Sequence, residues 1–490
     1  MRFAGETDAR TRVWRRLLST NPPIQVKSIR IIESEIFEEQ EITLGAATCV
    51  VGSHGSGKTL LLRLLESVFG FGSDTPPFVG GRKYRRSSIR PVTGLVEVAV
   101  LAEDELIRSV VDLSLDEAAR SAVWARLLPV DFWPTFNSAA ELASDFDWYY
   151  QNFGWNPERC ISERQFKASE LAALKSIVGR RYESVQVRTI LVDTQDEDDW
   201  YAQRPFVTAI SEGRVADSGT LSLGELWVHQ VFWDQARLDP GCLLLLDEPE
   251  SFLALRGHRP FIDEVARRSL DRKLQLVVAS HSPQVLSRFP VSNIRLCVRG
   301  PGGKIRVLEP ESLAQVHQAV GMEAPLTALV LVEDALAAAV LSGIFGCLNV
   351  SSAGIEIVQV GGKDNLIAGV RILSESQRVR VLGVLDADQR PHIGRLSGLH
   401  ALPGEVDPER ELFGFASRKH MTVAAALGRS GDALLAAMDG HEFLDHQYWP
   451  RYLARQLGLD QQLVTNVLIR LWLEEPRIRE QAIELIAALT

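Results

Sequence analysis

The sequence predicts an α/β protein: two successive parallel α/β domains followed by a helical C-terminal segment. Three observations carry this. "GSHGSGKT" (Gly52 to Thr59) follows the apolar run "TCVV" and opens a leucine-rich stretch. Far downstream, "CLLLLDEPE" and "LQLVVASHS" are apolar runs that each end in polar residues. From Leu326 a second alternation begins. There "LTALVLVE", "DALAAAVLSGIF", "IEIVQV", "GKDNLIAGVRILSES" and "VRVLGVLDAD" read strand, helix, strand, helix, strand, the order of a parallel sheet with crossover helices.

Residues 1–23 read as a disordered, Arg-rich tail. "MRFAGETDARTRVWRR" lacks the apolar stretch of a secretory signal, and Pro22-Pro23 closes it. "IQVKSIRII", "EITL" and "ATCVVG" are strands, and a helix is expected from Lys58 to Phe69 on the spacing of its leucines. "FGFGSDTPPFVGG" is a loop and "TGLVEVAVLAE" a strand. Residues from about 105 to 200 are expected to be mainly helical, a helical insertion separating "GSHGSGKT" from "CLLLLDEPE". "IRLCVRGPGGKIRVLEP" is a hairpin turning at Gly302-Gly303, and "ESLAQVHQAVGM" a short linking helix. The expected boundaries are a first α/β domain at 24–325, a second α/β domain at 326–418 and a helical region at 419–490.

The composition narrows the classes. The chain has 490 residues, 46% of them apolar and 24% charged, with a net charge of −10. That excludes coating of nucleic acid by charge alone, so any such contact needs a local basic patch, such as Arg82-Lys83-Tyr84-Arg85-Arg86 with Arg90. The five cysteines are scattered without metal or redox spacing, as in a reducing cytoplasm. No run approaches the roughly 18–20 apolar residues of a membrane span. The expectation is a cytoplasmic protein with no membrane partner.

"GSHGSGKT" fits the phosphate-binding loop. Backbone N–H groups across Gly52, Ser53, His54, Gly55, Ser56 and Gly57 cradle phosphates, Lys58 faces the β- and γ-phosphates of ATP, and Thr59 ligates Mg2+. Asp247, at the end of "CLLLLD", completes the Mg2+ shell, and Glu248 polarises the attacking water. "LSLGE" (Leu221 to Glu225) then resembles the signature motif of ABC-type ATPases, with Leu223 where that family usually has glycine, and "ASHSPQVL" resembles their switch-histidine segment. The resemblance implies that His281 is the switch and that Ser222 and Gly224 contact the nucleotide of a second head, making the working unit a homodimer or higher oligomer.

A second site follows from the later alternation. Asp-x-Asp occurs at Asp145/Asp147, Asp196/Asp198 and Asp386/Asp388, but only the last pair directly follows a buried-strand run. Glu333 ends the first strand of this domain. Parallel strands deliver their C-terminal ends to one crevice, so Glu333, Asp386 and Asp388 converge there. Their mutual repulsion is relieved by a divalent cation, and all-oxygen ligation suits Mg2+ or Mn2+.

This order, with Gly361 and Gly362 in the turn between, resembles the TOPRIM domain of topoisomerases, primases and OLD (overcoming lysogenization defect) nucleases. Residues 24–415 as a whole resemble OLD-family nucleases, including relatives in Gabija, retron and PARIS antiphage systems. "LPGEVDPERELF" looks like a further OLD-type segment in which Glu405 and Glu409 add ligands. Two departures stand out. Ala337 occupies the place of a second aspartate, and no lysine follows Lys419, leaving Arg418, Lys419 or His446 to substitute. The resemblance implies an ATPase controlling a metal-dependent nuclease in antiphage defence, acting on DNA rather than RNA, alongside an operon-encoded partner. The alternatives are an ATPase sensor whose degenerate TOPRIM platform recruits or restrains a partner effector, or a nuclease acting on RNA or tRNA.

Overall fold

The computed structural model describes residues 9–69, 94–115, 117–128, 132, 134–139, 142, 160–191, 203–322, 326–376, 378–394 and 396–489. The basic stretch at 82–90 and the pairs Asp145/Asp147 and Asp196/Asp198 lie outside them. The chain divides into two compact units, Arg2–Met322 and Glu323–Thr490.

The strands of the first unit are β1 (Ile24–Ser34), β2 (Gln40–Thr43), β3 (Ala47–Val51), β4 (Gly94–Ala102), β5 (Glu105–Asp112), β6 (Pro134–Ser138), β7 (Cys160–Gln165), β8 (Ser184–Leu191), β9 (Gln203–Ser211), β10 (Arg214–Asp217), β11 (Leu243–Asp247), β12 (Gln275–Ala279), β13 (Ile294–Arg299) and β14 (Ile305–Leu308). Its central sheet has the order β14-β13-β3-β12-β11-β6. All neighbours are parallel except the edge hairpin β13–β14. β3, β11 and β12 are buried at every position, which is why they read as continuous apolar runs. Alternate residues feed two cores. Cys49, Leu244, Leu246, Leu276 and Val278 face one, while Val50, Leu243, Leu245 and Val277 face the other. Two antiparallel sheets, β2-β1-β4-β5 and β10-β9-β8-β7, complete the unit.

The expectation of a mainly helical segment at 105–200 is corrected. Its described residues hold strands β5, β6, β7 and β8 and the helices Glu117–Leu127 and Ala168–Val178. β7 is exposed at every position and carries no apolar stripe, whereas β8 alternates, with Val185, Val187 and Thr189 buried, a strand pattern that the helical reading passed over.

The tail is corrected as well. Helix α1 (Ala9–Ser19) lies within residues 1–23. Trp14 and Leu17, three apart on one face, are 3% and 2% exposed. The Trp14 indole donates to Asp263 Oδ1 at 2.8 Å and meets the Phe289 ring edge-on. Interspersed arginines hid this face from a reading by charge.

The second unit is built on β15 (Ala328–Val332), β16 (Ile355–Gln359), β17 (Arg380–Leu385) and β18 (Leu399–Ala401), all parallel, in the order β16-β15-β17-β18. One core joins Val330, Val332 and Val384 of this sheet with Leu412 and Phe413 and with Leu468, Trp472 and Leu485 from the C-terminal helices. The helices after 419 therefore share a core with the sheet. Among the described residues, no helix is long and apolar enough to cross a membrane.

Candidate functional site

In the first unit, the sheet order places β12 between β3 and β11, so three consecutive strand ends meet at one edge. β3 leads into the glycine loop and helix α2 (Lys58–Val68), β11 ends at Asp247, and β12 leads to His281. Gly52 and Gly57 have φ of 149° and 106°, which disfavours any side chain. Space forbids one too. A Cβ would sit 2.4 Å from the Cys297 carbonyl oxygen at Gly52 and 2.2 Å from Ile305 Cδ1 at Gly57. The Lys58 ammonium donates to the Gly52 and Ser53 carbonyls, both at 3.2 Å. Its burial lowers its pKa, with Glu248 and Asp247 opposing the shift.

Thr59 Oγ1 donates to Asp247 Oδ2 at 2.8 Å. Asp247 Oδ1 is buried with no partner. Burial pushes this carboxyl up to about 6 against the pull of the Thr59 hydroxyl. Glu248 adopts a left-handed backbone, φ 49°, and its N–H donates to the Ala279 carbonyl at 2.8 Å, pinning the ends of β11 and β12 together. His281 Nε2 lies 3.2 Å from Glu248 Oε1 and holds that carboxyl below its ordinary range. The His54 ring stacks against His281 at 4.7 Å.

Ser222 N-caps helix α3 (Leu223–Arg237) in a capping box with Glu225. Glu225 also accepts from the Tyr182 hydroxyl and pairs with Arg180. A Cβ on Gly224 would lie 2.5 Å from the Phe252 carbonyl oxygen. The hydrogen bonds of Ser222 among the described residues stay within this helix start and do not reach the glycine loop of the same chain.

In the second unit, β15 and β17 are neighbours. The Asp386 N–H donates to Glu333 Oε1 at 3.1 Å, and Gly361 N–H donates to the Glu333 carbonyl at 2.9 Å. Asp386 Oδ1 is buried without a partner. Burial, then Glu333, Asp334, Glu409 and Asp388, push the Asp386 carboxyl up to about 8. Burial and neighbouring acids also raise Glu333. Asp388 is exposed and accepts from the Gln389 amide at 2.6 Å.

The ligand atoms of Glu333, Asp386 and Asp388 do not form as tight a group as two other trios. His54, Glu248 and His281, and separately Asp407, Glu409 and His446, each hold theirs within 4.8 Å. Burial, then Asp334 and Asp407, push Glu409 up to about 7, with His446 opposing. Glu405 is exposed and paired with Arg477 at 2.5 Å.

No family model matches the chain, and no curated protein matches it. Solved structures do. The SMC head bound to the C-winged helix domain of ScpA is 14% identical, with 59% of this chain and 99% of that one covered at a TM-score of 0.36. The SMC head domain from Thermotoga maritima is 16% identical, with 59% and 100% covered at 0.33. The C-terminal region of the Burkholderia pseudomallei OLD protein is 15% identical, with 34% and 99% covered at 0.24. The solved structures similar to this chain thus include SMC heads and an OLD C-terminal region.

Four residues near these centres were not singled out from the sequence. Glu250 Oε1 accepts from Ser280 Oγ at 2.6 Å and from the N–H groups of His281 and Ser282 at 2.9 and 3.0 Å, fixing the turn that carries His281. Asp334 caps helix α4 (Ala335–Cys347) and adds to the negative field on Asp386. Lys363 opens helix α5 (Lys363–Leu373) and offsets that field at Glu333. Asp407 caps helix α6 (Pro408–Arg418) beside Glu409, and the Asp-Pro step before a helix was its available signal.

Proposed function

We propose that the chain is an ATPase whose nucleotide state controls a metal-dependent nuclease centre in its second unit, acting on DNA in preference to RNA, in antiphage defence. One observation carries this reading. Each unit holds, at the C-terminal end of a buried parallel strand, an aspartate with one buried, unpartnered carboxylate oxygen: Asp247 Oδ1 and Asp386 Oδ1. Such an oxygen is costly unless a cation takes it.

At the first centre, Lys58 leaves the loop carbonyls to face the phosphates of ATP, and the backbone N–H groups of the glycine loop hold them. Thr59 and Asp247 are the residues that would hold Mg2+, which when bound would neutralise charge on the phosphates. Glu248 takes the proton of the attacking water, and His281 orients Glu248 at 3.2 Å. Ser222 and Gly224 serve the nucleotide of a second copy, so the active form is a homodimer or larger.

At the second centre, Glu333, Asp386 and Asp388, with Glu409 beside them, are the residues that hold Mg2+ or Mn2+, which when bound polarises a phosphodiester and activates water. Asp386 would hold the cation through its carboxylate, so binding would be accompanied by loss of any proton on that group. Lys363 offsets the remaining negative charge as a phosphodiester approaches.

A second reading is favoured by Ala337. It is fully buried where the resemblance places an aspartate, which suits a non-nucleolytic platform that binds a partner effector. The test is cleavage of plasmid DNA and of tRNA by the purified chain with Mg2+ or Mn2+. Asp386→Ala should abolish cleavage and spare ATP hydrolysis, because the ATP centre has its own Mg2+ ligands. Cleavage surviving in Asp386→Ala would sink the carboxylate centre. A wild type that cuts neither substrate would leave the platform.

A further inference from the structure

Three side chains from three separate segments meet at the strand ends of the first unit. His54 lies in the glycine loop, Glu248 follows β11 and His281 follows β12. One ligand atom from each lies within 4.8 Å of the other two. Glu248 Oε1 and His281 Nε2 are closer, at 3.2 Å. Although buried, His281 Nε2 has no aligned hydrogen-bond partner. Zinc bonds of about 2.0–2.2 Å to nitrogen and oxygen place two ligands of a tetrahedral ion about 3.3 Å apart. The pair therefore stands at the spacing of two ligands of one ion. Both stand on a fixed frame. Glu250 accepts from the N–H groups of His281 and Ser282, and the Glu248 N–H donates to the Ala279 carbonyl. The third donor is the adjustable one. The exposed His54 ring stacks on His281 with centroids 4.7 Å apart, so rotation of a solvent-facing side chain brings its nitrogen in.

Two imidazoles and one carboxylate are a zinc donor set, whereas Mg2+ takes oxygen ligands. We propose that His54, Glu248 and His281 form a binding site for a transition-metal ion, Zn2+ by its donors, that holds the ATP centre inactive. The Glu248 side chain is 41% exposed, which leaves a path for the ion and a place for water as its fourth ligand. Thr59 and Asp247, assigned above to Mg2+, are not among the three. An ion here takes the carboxylate that acts on water and ties the glycine loop to the switch turn. Its effect on turnover rests on the ATPase reading, but its binding does not.

Titration of the full, chelator-treated chain with Zn2+, read by calorimetry and by the visible absorption of Co2+ in its place, tests the binding. A change beside a metal ligand costs about 10–100-fold in affinity, so removing a ligand should cost about hundredfold. His54→Ala and His281→Ala should each show that loss, and a wild-type melting temperature in His54→Ala shows that the unit is folded. His446→Ala, which removes the imidazole of the other close trio, should bind as wild type does. Unchanged affinity in both His54→Ala and His281→Ala overturns the site, and loss in His446→Ala alone moves the ion to the second unit and overturns it too. Inhibition is read separately, with free Zn2+ held constant by a chelating buffer and each variant compared with its own zinc-free rate of ATP hydrolysis. Zn2+ should slow wild type at least tenfold and His54→Ala much less. Equal inhibition of both overturns the control of turnover. A chain that hydrolyses no ATP fails the ATPase reading while the titration still decides the site.

Discussion

A single carboxylate oxygen, Glu250 Oε1, accepts three hydrogen bonds from the turn that presents His281. Glu250→Gln keeps the shape and removes the charge, and charge-assisted bonds are about twice as strong as neutral ones. ATP binding should persist while turnover falls roughly tenfold, a loss of about 1.4 kcal/mol in positioning. Single-turnover hydrolysis checks this, and an unchanged rate would show that the turn holds itself. His229 offers a second prediction at this scale. It is 1% exposed, neither ring nitrogen has a partner, and burial pushes it down to about 4. Its folded pKa is below the unfolded value of about 6.5, so its neutral form is favoured on folding. Its contribution is complete above about pH 6.5 and is lost as pH falls toward 4. Asp234, pushed up to about 6 by burial, works in the opposite direction. The stability of His229→Leu relative to wild type should therefore grow by about 2 kcal/mol from pH 7 to pH 5, read from urea midpoints.

Elements were legible where burial left a pattern. β3, β11, β12 and β17 read as strands because their apolar runs end at residues with chemistry, and both centres sit at those ends. β7 was illegible because an exposed strand has no reason to carry an apolar face, and its place in the sheet is set by its pairing with β8. α1 was misread because two apolar anchors among arginines resemble a tail until a partner surface is known. Glu250 and Asp334 were hidden for another reason. Their roles depend on which segments fold against them, and spacing along the chain does not encode that. α1 supplies the prediction for this scale. Trp14→Ala removes a buried indole and leaves Asp263 without its N–H donor, which should destabilise the first unit by about 3 kcal/mol or more. Thermal unfolding measures it. A melting temperature equal to wild type would mean that α1 is held by its arginines alone.

At the scale of the whole molecule, the capping contacts of Ser222 stay within its own helix start, and the proposed function has this segment serve the nucleotide of a second copy. Glu248→Gln should bind ATP, hydrolyse it slowly and accumulate the paired form, because the amide no longer takes the proton of water. Light scattering should then report at least twice the chain mass of 54.3 kDa with ATP and less without it. A mass indifferent to ATP would count against pairing through the nucleotide.

Asp263 holds Trp14 and Arg10 of the first helix and also Arg288, seven residues beyond His281. One carboxylate thus touches both the seat of the first helix and the segment that follows His281. If Asp263 couples the docking of α1 to the ATP centre, the two are thermodynamically linked variables. Linkage is reciprocal, so the factor by which ATP changes the docking equilibrium of α1 equals the factor by which that docking changes affinity for ATP. Measured in both directions, that one factor gives the free energy with which the start of the chain addresses its ATPase.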